Sequence, residues 1–328
     1  MFGMAKPPRI RKKICWITLL IICIVALVVF GKTGVLSNNV MRYLMQIFLY
    51  IALGEAWNLL SGFAGLTSLG QQLYIGLTGY TIAVATTTYH LSPVTGILIG
   101  LLICAIASFL LSFLLFRMNG MYFAVASWVA SEAVCLFFLS WDYVNQGGGM
   151  IMSITPYPTI TQIYLASLVL CVATVIAVYL LVRSRTGLAL MNIRDDSIAA
   201  ESIGVDIKKC KLISYVISAL MTSLVGGLFF INKGTIYPDS GFSIGWTISS
   251  VFIVIIGGSG TVGGPIFGAI IYVLLHEYLA HYSGWSNILL GIITILVILF
   301  LPDGMLGSLQ KRLHFELFSQ RRYSEPME

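Results

Sequence analysis

The chain has 328 residues, 58% of them hydrophobic and 10% charged, with a mean hydropathy of +0.93. Soluble domains carry about 25% charged residues, so this composition excludes a water-soluble fold and predicts an all-α, polytopic helical membrane protein. The net charge of +6 comes from basic residues beside apolar spans, which argues against nucleic-acid binding.

Residues 1–13 form a basic N-terminal segment, and KPPRIRKK followed by the apolar run Ile14 to Phe30 has the outline of a signal peptide. The region after it, GKTGVLSNN, offers no A-x-A-like cleavage site, so the run is taken as an uncleaved first span. Further spans are predicted near 41–60, 64–89, 93–116, 120–139, 162–182, 212–231, 244–258, 264–280 and 287–301, giving about ten transmembrane segments in one domain over 14–301. The runs at 244–258 and 287–301 are short for a hydrocarbon core that needs about 20 residues, so their ends are expected to extend further. The longest outer loop is 140–161, whose glycines and prolines suit either a cap over an opening or a plain connection. The tail is 302–328.

Between two spans lies a charged island, 183–211, with ten of the chain's 32 charged residues in 29 positions. At roughly +2.5 to +3.5 kcal/mol per central charge, inserting it would cost about 25 to 35 kcal/mol; its apolar residues return at most about 7 kcal/mol. The island stays in water. Asp195 and Asp196 are N-cap candidates for a short helical run, SIAAESI, and Gly204 suits its C′ stop. It reads either as a solvated loop or as a docking helix that a soluble motor grips. With ten crossings, 16 basic residues fall on one side and three (Lys32, Arg42, Lys233) on the other. By the positive-inside rule both termini and the island are then cytoplasmic.

Two glycine-rich stretches interrupt the apolar pattern, GFAGLTSLGQQLYIGLTGY (62–80) and GGSGTVGGPIFGA (257–269). Gly62, Gly65, Gly70, Gly257, Gly258, Gly260, Gly264 and Gly268 serve either close helix packing or a helix break that faces backbone and polar groups such as Ser68 or Gln71 to a polar path. The stretches also read as weak echoes of a duplicated unit. Ionisable residues inside spans are few: Glu55, Glu132, Glu277 and His276. Each is costly in lipid and is expected to face protein, water or the interface, Glu132 against a helix neighbour.

Motifs for bound cofactors or chemistry fail. GKT at 31–33 lacks the first glycine of a P-loop, since Ala26 occupies it. His276 and His281 are five apart, about 140° around a helix, too far for one metal face. The six cysteines are scattered and form no Cys-x-x-Cys pair, so they read as buried hydrophobes. No metal site and no catalytic residues are expected, and active transport would need a separate ATPase chain or an ion gradient.

Several blocks then carry a family pattern in order: NLLSGFAGLTSLGQ (58–71), GMYFAVASWVASE (120–132), GLALMNIRDDSIAAESIGV (187–205), GGSGTVGGPIFGA (257–269) and LPDGMLG (301–307). Over about residues 40 to 310 the chain resembles the LivM-type permease subunits of bacterial branched-chain amino acid ABC importers. It departs from that pattern at Gln71, where His is usual, at Leu66, where Gln is frequent, and at Asp303, where Arg is common. Related subunits import urea or short amides.

The resemblance implies a path shared with a second, LivH-type permease subunit in the bacterial cytoplasmic (inner) membrane. It implies two cytoplasmic ATP-binding subunits that hold ATP and Mg, and an extracytoplasmic substrate-binding protein. This chain itself would bind no cofactor and would not be an enzyme. Ala199, Ala200 and Gly204 keep the A-A-x-x-x-G part of the ATPase-docking motif, with Ile198 in place of the leading acid. Ile198, Ala199 and Ile203 would fill a groove, while Arg194, Asp195 and Glu201 would set register through rim charges and Asp196 stays one of the two N-cap candidates. Ser68, Gln71, Tyr74, Tyr122 and Glu132 are the candidate substrate-pathway residues. A urea or other small-solute ABC permease, an ion-coupled secondary transporter and an intramembrane enzyme are the rival readings.

Overall fold

Helix starts are set locally by side chains that accept the first free amide hydrogens. In the computed structural model, which describes residues 22, 24–33, 36–280 and, beyond them, 289, 291–293, 295–296, 299 and 304–305, Ser37 accepts from the Val40 N–H to begin α1 (Asn38–Asn58). Ser92 with Pro93 at the first turn starts α3 (Pro93–Leu115), which follows α2 (Gln72–Thr87). Thr159 and Gln162 close a reciprocal capping box at the start of α5 (Ile160–Arg183), after α4 (Met121–Ser140). These caps satisfy amides that the helix itself leaves free.

The charged island folds as two helices, α6 (Arg185–Asp195) and α7 (Ser197–Ser202), before α8 (Ile207–Lys233). Only the second was anticipated. The chain closes through the short α9 (Pro238–Gly241), α10 (Gly245–Gly257) and α11 (Gly264–Ala280).

Among the described residues, six segments are long and apolar enough to cross a membrane: 38–63, 93–115, 121–140, 160–183, 207–233 and 238–257, and 264–279 is a shorter apolar helix. The protein is therefore an all-α polytopic membrane protein in its spanning part. The short run expected at 244–258 reaches spanning length by joining α9 to α10 across a bend. The span expected over 64–89 is helical only from Gln72 to Thr87, because residues 64–71 leave the helix. Residues 22 and 24–32 are helical, whereas the segments 1–13 and most of 287–328 lie outside the described residues.

Helix α1 lies at the centre, packed on α5, α8, α10 and α11, while α2 lies between α3 and α8. By contrast α3 shows a continuous apolar stripe, Leu98, Leu102, Ile106, Leu110 and Phe113, all exposed. Residues three or four apart share one helix face, so this stripe suits lipid or another apolar surface. Small residues bring α10 and α11 close: a Cβ on Gly268 would lie 1.9 Å from the Ile253 carbonyl oxygen, and one on Gly257 1.9 Å from that of Gly264.

One feature departs from the all-helical expectation. Within the 140–161 loop, β1 (Met150–Ile151) pairs antiparallel with β2 (Thr235–Ile236), Met150 opposite Ile236. Thr87 donates to the Ile151 carbonyl at 2.8 Å, and Val144, Met152 and Ile154 are buried. The loop is thus packed down over one end of the bundle, its backbone partnered by the α8–α9 connection.

Candidate functional site

The two glycine-rich stretches meet at the other end, beside the charged island. Helix α1 first widens into a π turn, Leu59–Phe63, and the chain then runs unwound to Gln71. Unwound backbone inside a membrane bundle must find partners within the protein. Here the Trp57 indole donates to the Ser68 carbonyl at 2.9 Å, the Leu69 N–H donates to Ser127 Oγ at 2.9 Å, and the Gly70 N–H to Ser68 Oγ at 3.3 Å. Gly70 permits this approach to α4, since a Cβ there would lie 2.3 Å from the Ser127 carbonyl oxygen.

The second break, 258–263 between α10 and α11, is held to the first by Asn58. This fully buried amide accepts from the Gly260 N–H at 2.9 Å and donates to the Thr261 carbonyl at 3.0 Å. A side chain at Gly62 is excluded, because its Cβ would stand 2.1 Å from Asn58 Oδ1 and 2.6 Å from the Gly260 nitrogen. Gly304 of the closing LPDGMLG block packs on Gly257 and Gly258 at the same place. Gly258 N–H ends α10 by donating to the Val254 carbonyl, and Gly264 N–H donates to Thr261 Oγ1 as α11 begins.

Arg194, at the end of α6, reaches into this junction. Its Nη1 donates to the Gly62 carbonyl at 2.7 Å, while Nε and Nη2 engage Asp195 Oδ1 at 3.0 and 2.9 Å. Gly65, with φ +67°, brings its backbone against the Arg194 side chain. A cation at the C-terminal end of a helix also meets the negative end of its dipole. Arg194, expected on a rim facing a partner, keeps 38% of its side chain exposed while one guanidinium nitrogen reaches the Gly62 carbonyl.

Within α6, Gly187, Leu190 and Ile193 are buried, whereas α7 faces mostly outward. Asp196 caps α7 by accepting from the Ile198 and Ala199 amides at 2.9 and 3.1 Å. Gly204, with φ +83°, ends it by donating to the Glu201 carbonyl. Asp195 instead closes α6. On α7 only Ala200 is buried, while Ile198 and Ile203 are 77% and 71% exposed and Ala199 and Glu201 are exposed with them.

The five candidate pathway residues fall into two groups. Ser68, Gln71 and Tyr74 are buried at the first break, and Gln71 is tied to α8: its Nε2 donates to Ser218 Oγ at 3.1 Å and its Oε1 accepts from Thr222 at 2.6 Å. Tyr122 and Glu132 lie exposed on α4, away from that group, and among the described residues no helix covers Glu132. Next to Gln71, Gln72 accepts from Thr247 of α10. Sequence reasoning missed Asn58, Gln72, Ser218, Thr222 and Thr247; a polar residue in every apolar span was the available signal.

Glu55, expected to face protein, water or the interface, is fully buried on α1, and neither of its carboxyl oxygens has a hydrogen-bond partner among the described residues. Glu277 accepts from the Tyr43 hydroxyl at 2.9 Å. Four cysteines, Cys104, Cys135, Cys171 and Cys210, are free thiols. Among the described residues no cluster of His, Cys, Asp or Glu could hold a metal ion. A cavity of about 270 Å³ near the β1–β2 end, between Leu77, Tyr80, Ile103, Phe138, Trp141 and Tyr143, is almost wholly apolar and includes none of the pathway candidates.

With this geometry the family assignment is direct. The family described as branched-chain amino acid transport system / permease component matches residues 39–301. The chain belongs to that family. It is 28% identical over 289 residues to the high-affinity branched-chain amino acid transport system permease protein LivM of Escherichia coli, covering 79% of this chain and 68% of the relative. It is 24% identical over 279 residues to the E. coli inner membrane ABC transporter permease protein YjfF, covering 76% and 78%. A shorter match, 31% over 150 residues, covers 42% of this chain and 46% of the probable branched-chain amino acid transport permease protein LivH of Methanocaldococcus jannaschii. No solved structure gives a significant match. The matched region of this permease-family chain contains both breaks, Asn58 and the whole charged island.

Replacing Asn58 tests the link between the breaks. Asn58→Ala leaves the Gly260 N–H and the Thr261 carbonyl without that partner and is expected to cost about 1–3 kcal/mol. The thermal midpoint of the purified protein in detergent should fall, and should fall for Asn58→Asp as well, which sets a second acceptor against the Thr261 carbonyl at a buried site. An unchanged midpoint in Asn58→Ala would show that the two breaks do not depend on it.

Proposed function

We propose that this chain is a transmembrane permease subunit of an ATP-driven importer for branched-chain amino acids, acting in the bacterial cytoplasmic membrane. The observation that carries the reading is the capped helix α7, which holds Ile198 and Ile203 out from a charged segment that stays in water. Family membership over residues 39–301 supports the transport role, and the names of the LivM and LivH relatives support the solute and a two-permease assembly.

In this reading a second, LivH-type permease encloses the path with this chain. Two ATP-binding subunits holding ATP and Mg dock on the 183–211 loop, and an extracytoplasmic binding protein delivers solute. The chain hydrolyses nothing itself. A single permease domain over 14–301, with about ten crossings and both termini inside, places the island in the cytoplasm. Charge asymmetry supports that topology, as does the meeting of residues 62, 194, 260 and 304 at one end while 150–151 and 235–236 pair at the other.

Docking would bury Ile198, Ala199 and Ile203 in a groove of the ATPase, with Asp195 and Glu201 setting register at its edge. The path would be lined from Tyr122 and Glu132 on the open face of α4, with Ser68, Gln71 and Tyr74 shaping the break behind it. Rocking of helix bundles about that break would give alternating access.

A cysteine at Ser197 should react with an impermeant thiol reagent only from the cytoplasmic face; reaction from outside intact cells would invert the topology. Ile203→Asp should remove ATPase co-purification while membrane insertion continues, and Gly204→Arg should do the same by straining a left-handed backbone position. Undiminished co-purification in both would refute docking on α7. For the solute, leucine, isoleucine and valine should compete with one another for uptake and urea should not. Inhibition by urea alone would favour a urea or short-amide permease, and uptake by this chain alone without ATP would favour an ion-coupled transporter.

A further inference from the structure

We infer that Arg194 is a positioning residue for transport: its hydrogen bond to the Gly62 carbonyl makes the ATPase-docking loop and the two helix breaks move as one piece. The inference rests on the docking proposed above for α7. It adds the route by which a push on α7 reaches the path.

Three links make up that route. Helix α7 follows α6 directly at Asp196, whose N–H still donates to the Asn192 carbonyl of α6 at 2.9 Å and whose side chain caps α7. Arg194 then joins the last turn of α6 to Gly62 of the π turn, 132 residues away in the chain. Asn58, one turn before Gly62, joins the same place to Gly260 and Thr261 of the second break. The backbone at Gly260 also closes on the junction, since a Cβ there would lie 3.1 Å from Arg194 Nη1 and 3.2 Å from the Gly62 oxygen.

The chemistry of the guanidinium suits this place. Asp195 holds Nε and Nη2, which fixes the plane of the group and aims Nη1 at the carbonyl. A planar fork with several fixed donors can serve both partners together; a lysine ammonium, a point charge on a flexible stem, can serve them only loosely. The carbonyl it meets belongs to a widened helix end, where backbone oxygens lack regular partners. A contact there biases the shape of the break, whereas one in mid-helix would only carry load.

The test uses the complete complex, this chain with the second permease and ATPase subunits, reconstituted in liposomes with the binding protein and labelled leucine. Three quantities are read: ATPase retained, ATP hydrolysed and leucine taken up. Arg194→Ala and Arg194→Gln should retain the ATPase and continue to hydrolyse ATP, but leucine moved per ATP should fall roughly tenfold. Arg194→Lys should recover part of it. A purely structural role would lower the amount of active complex and leave that ratio unchanged, and an unchanged ratio overturns the inference.

Loss of ATPase from otherwise intact Arg194→Ala and Arg194→Gln permeases would make Arg194 a docking residue and also overturn it. So would failure of all three variants to assemble, which would make the contact a requirement of folding. If the unmodified chain retains no ATPase, the docking reading itself fails and this inference falls with it.

Discussion

A peptide group that leaves its helix within a membrane protein has no water to turn to, so the protein must provide a donor or acceptor for it. In this chain that constraint is met at one junction. Trp57, Ser68, Ser127 and Asn58 satisfy unwound backbone at 64–71 and 258–263, and Arg194 satisfies the carbonyl where α1 gives out. The glycines make room for these partners, because at Gly62 and Gly70 any side chain would occupy the space that a partner atom fills. The packing of α1 against α5, α8, α10 and α11 buries Asn58, Gly62 and Ser68 at this junction, while Gly65, Thr67 and Ser259 on its border stay exposed.

The same junction explains why a charged loop can matter to a path through the apolar bundle. Polar contacts tie the breaks to α8 and α10 as well: Gln71 to Ser218 and Thr222, and Gln72 to Thr247. Every one of these contacts joins segments distant in the chain, so a displacement of the break is shared by several helices. Interior packing of this kind moves between discrete arrangements more readily than it deforms. The opposite end is built differently, with the 140–161 loop pinned by β1–β2 pairing and by burial of Val144, Met152 and Ile154. One end therefore carries polar, glycine-rich connections and the other a packed cover.

Much of this was legible in the residues. Asp196 and Gly204 bound α7 as their capping chemistry predicts, and hydropathy marks most of the spanning helices within a few residues of their ends. The glycine-rich stretches hold both uses of glycine, close packing and helix breaks: Gly257 and Gly268 pack α10 on α11, while 64–71 and 258–263 leave the helix. Helix α6 was missed because its weakly amphipathic, charged sequence reads as loop until it is seen against α5 and α8. Tyr122 and Glu132 were grouped with Ser68 and Gln71 as polar groups near helix interruptions or in the family blocks; the direction of α4 sets them on an open face.

Transfer energies and neighbours in sequence are enough to determine which segments are apolar enough to leave water, where most of the spanning helices start and stop, and that 183–211 is too charged to insert. Which polar groups meet was decided only by the tertiary structure. Arg194 and Gly62 are 132 residues apart, and Asn58 and Thr261 are 203 apart. No local pattern names such partners, because a carbonyl or a glycine looks the same at every position, and only packing of whole helices brings one particular carbonyl within reach of one particular guanidinium.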